Sequence, residues 1–274
     1  MYQVAILLTT YNSSAYIREL LDSLLAQTYV HWVLYVRDDG STDNTFDILC
    51  EYRALDSRIC MIFDDKRRGA CEGFLWLLDK AKGDFYMFCD HDDVWLPQKI
   101  EKTLYKMLGQ KDFSIKPIAV CTDLTLVDSK LNVISDSMWR HCHFTAQQFN
   151  DKYFHLVYNN VTGCTMMINN KVKEIAFPYP ESIIIHDSWI AAAVLWNGGR
   201  IETINEVTIL YRQHEHNAIG AKDAPSYMSQ LMKFKLLWKK TKRQHDTALQ
   251  LVRMNFMFFF LMKLYYMVKI HSKC

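Results

Sequence analysis

The chain has 274 residues, of which half are apolar and 23% are charged, with a formal net charge of +2. That length and composition support a full hydrophobic core in one large domain and exclude a disordered chain. The eight cysteines form no Cys-x-x-Cys pair, which predicts reduced, mostly buried thiols in the cytosol and excludes a disulfide frame. Strand-like residues begin at Gln3 without a basic-then-apolar leader, so we expect a cytoplasmic protein.

The small net charge conceals an asymmetry along the chain. Residues 226–274 contain ten Lys or Arg and one acid, a formal charge of +9, so the first 225 residues carry −7. A basic terminal segment on an acidic body indicates an anionic partner, either a membrane surface or a nucleic acid. No nucleic-acid recognition motif accompanies the charge, so we expect no nucleic-acid partner.

The first hundred residues alternate between strand and helix patterns. Apolar runs typical of buried strands are predicted at Gln3–Thr9, Trp32–Arg37, Arg58–Phe63 and Phe85–Cys89. Helices are predicted to begin near Ser13, Asp43, Gly69 and Pro97. This order predicts an α/β fold with a Rossmann-like, mostly parallel central sheet and flanking helices. Neither a dinucleotide fingerprint nor a P-loop motif is present.

The second half of the chain is less regular. Further strands are predicted at Pro117–Thr122, Leu124–Val127, Leu131–Ile134, Arg200–Ile204 and Glu206–Tyr211, the second and third forming a hairpin. Helices are predicted at Asn169–Phe177 and His186–Trp196. From Ser226 the pattern is helical and basic. We therefore expect a helical extension after the α/β body.

Acidic residues follow two of the predicted parallel strands. Asp38-Asp39 ends one strand, and Asp90, Asp92 and Asp93 lie just beyond another. The carboxyl ends of parallel strands share one rim of the sheet, where open α/β folds bind ligands. One acid there can accept a hydrogen bond from a nucleobase or ribose, and the others can hold a divalent cation with phosphate oxygens. The plainer interpretation of each acid is a turn or a helix cap.

Three other stretches carry side chains suited to catalysis or phosphate binding. Asp187 begins a predicted helix beside Trp189, where a carboxylate can act as a general base or only as a helix cap. The segment 211–217 carries two imidazoles that can ligate a metal or contact phosphate, or simply form a solvated loop. Arg67-Arg68 follows the third strand and can meet an anionic leaving group, although a solvated turn is also consistent.

In combination these motifs resemble family 2 glycosyltransferases of the GT-A fold. The resemblance is carried by Thr9-Thr10-Tyr11-Asn12, 23–29, 38–43, Asp90-His91-Asp92-Asp93-Val94-Trp95, Thr162-Gly163-Cys164-Thr165, His186-Asp187-Ser188-Trp189 and Tyr211-Arg212-Gln213-His214. It covers roughly residues 3–220 and is similar to the rhamnosyltransferase-like branch of bacterial polysaccharide biosynthesis. The Asn that often precedes the third-helix glycine in that branch is replaced here by Arg67-Arg68.

The resemblance implies a role for each matching position. Thr9, Tyr11, Asp39, Arg68, Asp90 and Asp93 would bind the nucleoside-diphosphate sugar. Asp92, Asp90 and His214 would hold Mn²⁺ or Mg²⁺, Asp187 would be the catalytic base, and Trp189 and Trp95 would contact the acceptor. It further implies a nucleotide-sugar half at residues 1–100 and an acceptor half at 101–225, whereas the helical extension at 226–274 lies outside the resemblance.

The implied activity is a metal-dependent inverting transfer of a sugar. The donor would be a UDP- or dTDP-linked sugar, and the acceptor a glycan or lipid-linked molecule of cell-surface polysaccharide synthesis. A sugar-1-phosphate nucleotidyltransferase would also use a nucleotide and a cation, but its Gly-rich turn after the first strand is absent. A non-catalytic sugar-nucleotide or glycan-binding subunit is the alternative outside enzymes.

The basic extension suggests where such an enzyme would work. Lysines and arginines are interleaved with Phe, Leu and Trp over Leu231–Arg243, and Met254–Ile270 is nearly all apolar but somewhat short for a spanning helix. This pattern predicts an interfacial anchor on the cytoplasmic face of the inner membrane. The alternative is a pair of helices packed on the body, or against a second copy of the chain in a homodimer.

Overall fold

The computed structural model describes residues 1–214 and 234–271 of the chain. The strands are β1 Val4–Thr10, β2 Trp32–Asp38, β3 Ile59–Met61, β4 Phe85–Cys89, β5 Val94–Trp95, β6 Ile118–Val127, β7 Val133–Ser135, β8 Met166–Asn169 and β9 Arg200–Arg212. The helices are α1 Ile17–Leu25, α2 Thr45–Leu55, α3 Gly69–Lys80, α4 Lys99–Leu108, α5 Met138–His141, α6 Ala146–Phe149, α7 Phe154–Val157, α8 Asn170–Ile175, α9 His186–Trp196, α10 Phe234–Ala248 and α11 Phe256–His271.

One mixed sheet runs through the body of the protein. Its strand order is β3-β2-β1-β4-β8-β6-β9-β5, and β7 pairs with β6. The first four strands, β1 to β4, are mutually parallel, and the two-residue β5 pairs antiparallel with β9. Beyond them, β8 is antiparallel to both β4 and β6, whereas β6 and β9 are parallel. The predicted α/β class is therefore confirmed, with the parallel part confined to the N-terminal strands and the β6–β9 pair.

Helices cover both faces of this sheet, so its central strands are buried on both sides. Alternate residues of β1 point to opposite faces. Val4, Ile6 and Leu8 pack in one hydrophobic cluster with α1, α2 and α4. Ala5 and Leu7 pack in the other cluster with α3, α8 and α9. Continuous apolar runs such as those of β1 and β4 follow from this double burial.

The first hundred residues follow the prediction closely, and the second half departs from it in two places. Pro117–Thr122 and Leu124–Val127 are a single strand, β6, and the two strands predicted between Arg200 and Tyr211 are also one, β9. The β6–β9 register shifts between Thr122 and Thr125, so the side-chain alternation breaks while the ladder continues. The hairpin is confirmed as the antiparallel β6–β7 pair.

The C-terminal helices pack against the body. Phe259, Met262 and Tyr266 of α11 join Phe154 of α7 and Ala192 of α9 in a third hydrophobic cluster. The start of the extension predicted at Ser226 lies outside the described residues. Among the described helices, none combines the length and the apolarity that a membrane span requires. The helical character of the extension is confirmed over Phe234–Ala248 and Phe256–His271.

Candidate active site

The acid-bearing strand ends lie side by side, as the sequence predicts. β1 lies between β2 and β4, with Thr10 opposite Asp38 and Leu8 opposite Cys89. The turn that follows β2 and the loop Asp90–Asp93 that follows β4 therefore leave the same rim. This rim is where the candidate site is built.

The carboxylates of the Asp90–Asp93 loop are crowded enough to perturb one another. Burial, together with the charges of Asp92 and Asp187, raises the pKa of Asp90 to about 7. Burial and the charges of Asp92 and Asp90 raise the pKa of Asp93 well above its usual value. Such a cluster favours protonation, or a nearby cation that offsets the repulsion.

β9 delivers two basic side chains to this loop. Arg212 donates its backbone N–H to Asp93 Oδ1 at 3.2 Å and its Nε to the Asp92 carbonyl oxygen at 2.8 Å. Two residues later, His214 Nε2 lies 2.8 Å from Asp92 Oδ2. The Tyr16 ring lies between them, stacked on His214 at 4.9 Å and under the Arg212 guanidinium at 4.6 Å. The structure thus brings His214 to Asp92 across 122 residues of sequence.

Asp187 lies in the first turn of α9 and is almost fully buried. Its Oδ2 accepts the backbone N–H of Gly163 at 3.0 Å, and its Oδ1 accepts Asn159 Nδ2 at 3.0 Å and the backbone N–H of Ser188. Burial raises the pKa of this carboxyl to about 7, although the three hydrogen bonds act in the opposite direction. Cys164, the residue after Gly163, has its sulfur within 4.8 Å of carboxylate oxygens of Asp90 and Asp93, so Asp187 lies near the acid loop.

Glycine is required where the 3₁₀ turn Gly163–Thr165 meets the start of α9. A Cβ on Gly163 would lie 2.6 Å from His186 Nε2 and 3.5 Å from Asp187 Cβ. The His186 ring packs against Phe74 and Phe88, with centroids 4.4 and 4.9 Å away. The imidazole is therefore held in the core directly behind Asp187, and burial lowers its pKa to about 3.

The predicted nucleoside residues surround the ends of β1 and β2. Thr9 is buried, whereas Tyr11 is exposed, with the Arg67 guanidinium 4.6 Å above its ring. Asp39 accepts the backbone N–H groups of Arg68 at 2.8 Å and Gly69 at 3.0 Å. Burial alone would raise the pKa of Asp39, but these bonds and Arg37, 2.7 Å away, lower it. Asp39 is thus an ionised acceptor on the rim.

Arg68 meets protein carboxylates rather than pointing freely into the site. Its guanidinium pairs with Asp64 and Glu72, and lies 5.3 Å from the Trp76 ring centroid. Its contact with the nucleotide side of the rim is through the backbone N–H that Asp39 accepts. Arg67 instead donates its Nε to the Asp39 carbonyl oxygen at 3.1 Å. The Arg67 guanidinium, not that of Arg68, lies over the exposed ring of Tyr11.

The two tryptophans predicted to contact an acceptor are both buried in the structure. Trp95 is 2% exposed and lies under the Lys99 amine, and Trp189 is 4% exposed. The Trp189 indole N–H donates to the Ala176 carbonyl oxygen at 2.9 Å. Both rings belong to the hydrophobic clusters that flank the sheet, so neither offers a face to a ligand.

The side chains around the acid loop are chemically suited to a divalent cation. Ligand atoms of Asp90, Asp93 and Cys164 lie within 4.8 Å of one another, and Asp92 is in contact with His214. Burial raises the pKa of the Cys164 thiol well above its usual value, which makes this sulfur a poor ligand. Carboxylate oxygens suit Mn²⁺ or Mg²⁺ far better. Asp92, Asp90 and His214 stay the predicted metal ligands.

Several residues of the site are invisible to sequence patterns. Asn159, which donates to Asp187, lies in an irregular stretch with no motif around it. Arg212 and Tyr16 act through contacts made only when β9 and α1 meet. From the sequence, Arg37 is only the last residue of a predicted strand. In the structure its guanidinium is buried against Asp39. Of these residues, only Arg212 could have been found from the sequence, because it lies two residues before the predicted ligand His214.

The chain is similar to several curated glycosyltransferases. WfaP from Escherichia coli, named a UDP-Glc:alpha-D-GlcNAc-diphosphoundecaprenol beta-1,3-glucosyltransferase, is 28% identical over 221 residues, 78% of each chain. RfbG from Shigella flexneri, named a dTDP-rhamnosyl transferase, is 27% identical over 233 residues, 78% of this chain and 74% of RfbG. WfgD from Escherichia coli is 37% identical over 107 residues, and this match spans 39% of the chain and 42% of WfgD.

Solved structures show the same architecture. S. aureus TarS 1–349 in complex with UDP superposes with a TM-score of 0.64 at 16% identity, over 97% of this chain and 70% of that one. TarS 1–349 in complex with UDP-GlcNAc gives 0.62 at 18% identity, over 87% and 66%. The mannosyltransferase PcManGT from Pyrobaculum calidifontis, in complex with GDP-Man and Mn2+, gives 0.62 at 16% identity, over 98% and 70%. The fold is GT-A.

The family model described as "Glycosyl transferase family 2" matches residues 5–175, which include β1 to β4, the acid loop and Gly163. That match spans more than half of the chain, and the site geometry and the fold agree with it. The protein belongs to glycosyl transferase family 2.

Proposed function

We propose that the protein is a metal-dependent, inverting glycosyltransferase that uses a UDP- or dTDP-linked sugar. The observation that carries the proposal is the Asp187 carboxylate, which is held by three N–H groups near the acid loop and has a pKa of about 7. A general base works best when its pKa lies close to the operating pH.

The donor would lie along the rim formed by the ends of β1, β2 and β4. Asp39, an ionised acceptor, suits the imide N–H that uracil and thymine both carry. Thr9 and Tyr11 would complete the nucleoside site, with Arg67 stacked on the Tyr11 ring. Asp90 and Asp93 would lie toward the sugar and the ribose. The UDP and dTDP donors in the names of similar enzymes support this donor class.

Asp92, Asp90 and His214 would hold Mn²⁺ or Mg²⁺ beside the donor diphosphate. A divalent cation in such a site supplies charge stabilisation for the departing nucleoside diphosphate. The chain's own contribution is the arrangement of ligands: Arg212 fixes the Asp92 backbone, and Tyr16 stacks on the His214 ring.

Asp187 would accept the proton of the acceptor hydroxyl as that oxygen attacks the anomeric carbon. The attack comes from the face opposite the leaving diphosphate, so the anomeric configuration inverts. Gly163, Asn159 and Ser188 hold the carboxylate in one orientation and leave one lone-pair site, on Oδ2, for the proton. The acceptor would be a glycan or a lipid-linked sugar of cell-surface polysaccharide synthesis, used at the cytoplasmic face of a membrane that residues 226–274 contact.

A donor panel tests the proposed activity. UDP- and dTDP-sugars are incubated with the protein and Mn²⁺ or Mg²⁺, and free nucleoside diphosphate is measured with and without EDTA. We expect slow, metal-dependent release from one donor that stops with EDTA. Release of pyrophosphate from a nucleoside triphosphate and a sugar phosphate would instead indicate a nucleotidyltransferase. Donor binding without any release, with or without candidate acceptors, would indicate a non-catalytic subunit.

A further inference from the structure

Helix α11 is apolar on all of its sides. Its sixteen residues include two lysines and no acid. One side, which includes Phe259, Met262 and Tyr266, packs against α7, α9 and α10. A helix that is apolar all round is normally buried all round, because water contact with either face is unfavourable. The apolar side that faces away from the body is therefore expected to contact something other than water.

That outer side carries a continuous row of exposed apolar residues, which we call the outer stripe. Phe258, Leu261, Tyr265 and Val268 are exposed by 56%, 57%, 60% and 56%, and they follow one another at intervals of three or four residues. This spacing places them along one line of the helix. Single exposed apolar residues are ordinary on proteins, whereas a contiguous row marks an interaction surface.

Basic residues accompany the outer stripe. The Lys269 amine lies 5.7 Å from the Tyr265 ring, and exposed Arg253 lies just before the helix. On the neighbouring helix, Lys239 and Lys240 are also exposed. Residues 226–274 contain a single acid, Asp246. An apolar row beside cations complements a surface with apolar depth and negative headgroups.

We propose that the outer stripe docks on an anionic lipid bilayer, with α11 lying in the plane of the interface. The helix is about 24 Å long at 1.5 Å per residue, shorter than the roughly 30 Å hydrocarbon core. Its inner side is already occupied by the body. The inference rests on the proposed function and goes beyond it by naming the docking face and the charge of the lipid.

Contacts from α10 connect this surface to the catalytic side of the molecule. Arg243 donates to the carbonyl oxygens of Ser182 and Ile183 at 2.9 and 2.8 Å, and the hydroxyls of Ser182 and Thr247 are 2.8 Å apart. Ser182 and Ile183 belong to the loop that leads into α9 and Asp187. A bilayer bound to α11 would thus be connected through α10 to the loop that precedes Asp187, the proposed base.

Vesicle flotation of the full chain tests the docking face. The vesicles are pure phosphatidylcholine or a mixture with phosphatidylglycerol. The test variant is Phe258→Gln with Leu261→Gln. Its matched control is Leu55→Gln with Tyr105→Gln, at residues exposed by 77% and 83% elsewhere on the surface. We expect the wild type and the control to float with anionic vesicles, and binding of the test variant to fall by at least about tenfold.

A charge variant makes a second test of the same surface. Lys239→Gln with Lys240→Gln should weaken binding to anionic vesicles by roughly fivefold per lysine and reduce its salt dependence. Equal flotation of the Phe258/Leu261 variant and the wild type would overturn the proposal. The proposal would also be overturned if the wild-type protein does not bind anionic vesicles and sedimentation shows that it dimerises through α11. Flotation needs no donor, so an inactive but floating protein would refute the proposed function alone.

Discussion

At the scale of single residues, Asp187 shows how burial prepares a carboxylate for proton transfer. Three N–H groups stabilise its ionised form, yet burial outweighs them and the pKa stands near 7. An Asp in water would be too weak a base, since its pKa lies about three units lower. The start of α9 orients the side chain, and the surrounding core sets its basicity.

Asp187→Asn should remove transfer while the fold persists. The amide cannot accept a proton, and its NH₂ would face an N–H group of Gly163 or Asn159. We expect kcat to fall by on the order of 10²- to 10⁴-fold. The matched control is Asp47→Asn, an exposed acid in the first turn of α2. Near wild-type transfer by Asp187→Asn, with an unchanged circular dichroism spectrum, would refute the assignment of the base.

The pKa of Asp187 also predicts the pH dependence of the reaction. A general base is active when deprotonated, so kcat/KM should increase about tenfold per pH unit below pH 7 and level off above it. The check is a pH profile of kcat/KM for the acceptor at saturating donor and metal. A profile that is flat from pH 5 to 8 would contradict a titrating base with this pKa.

The contact between Asp92 and His214 predicts a measurable effect on metal binding. His214→Ala should weaken Mn²⁺ binding by roughly ten- to a hundredfold, because an imidazole ligand is lost beside Asp92. Titration followed by electron paramagnetic resonance measures the affinity without any turnover. His31→Ala, at an exposed imidazole, is the control. Unchanged Mn²⁺ affinity in His214→Ala would exclude His214 as a ligand.

At the scale of elements, the site depends on how closely the Gly163–Thr165 turn approaches α9. The turn supplies the N–H that Asp187 accepts, and the missing side chain of Gly163 leaves room for His186. The His186 ring in turn contacts Phe74 of α3 and Phe88 of β4. The position of Asp187 therefore depends on contacts of the turn, of α3 and of β4 with the start of α9.

Gly163→Ala tests this close approach. A methyl group 2.6 Å from His186 Nε2 must displace the imidazole, the turn or both. We expect a loss of about 1–3 kcal/mol in unfolding free energy, together with reduced kcat. Gly109→Ala is the matched control, because its Cβ would meet nothing closer than 3.5 Å. Urea unfolding measures the unfolding free energy of both variants. Equal unfolding free energies would mean that the contact at Gly163 relaxes without cost.

At the scale of the whole molecule, the C-terminal helices belong to the folded body. The third hydrophobic cluster joins α11 to α7 and α9, and Tyr266 donates its hydroxyl to Asp151 at 2.6 Å. Buried Lys263 donates to Thr241 at 3.1 Å and ties α11 to α10. The extension predicted as a separate anchor is thus packed on one side and exposed on the other.

Truncation after residue 233 should therefore destabilise the protein. It would expose Phe154, Leu156 and Val157, each of which is worth about 1.5–3 kcal/mol when buried. We expect a clearly lower Tm and loss of two-state unfolding, measured by differential scanning calorimetry. A truncated chain with an unchanged Tm would show that α10 and α11 contribute nothing to the body. For the same reason, point variants are a cleaner test of membrane binding than deletion.

The sequence predicted the N-terminal half of the fold more closely than the rest. Between residues 1 and 100, β1, β2 and β4 consist mainly of apolar residues and alternate with helices, so pattern and structure coincide there. In β6 and β9, register shifts break the alternation, and one strand reads as two. The acid loop and the helix of Asp187 were both found because their acids stand at element ends. The sequence did not predict the burial of Trp95 and Trp189, since proximity in sequence does not reveal which way a ring turns.

By itself, the sequence determined the α/β class, the family and the acids on the rim of the sheet. These follow from local patterns: apolar runs, helical spacing and polar residues where strands end. Only the tertiary structure decided which side chains meet. It placed His214 on Asp92, gave Asp187 a buried environment, turned two tryptophans into the core and divided α11 into a packed and an exposed face. Burial and contact arise between distant segments, so no local pattern encodes them.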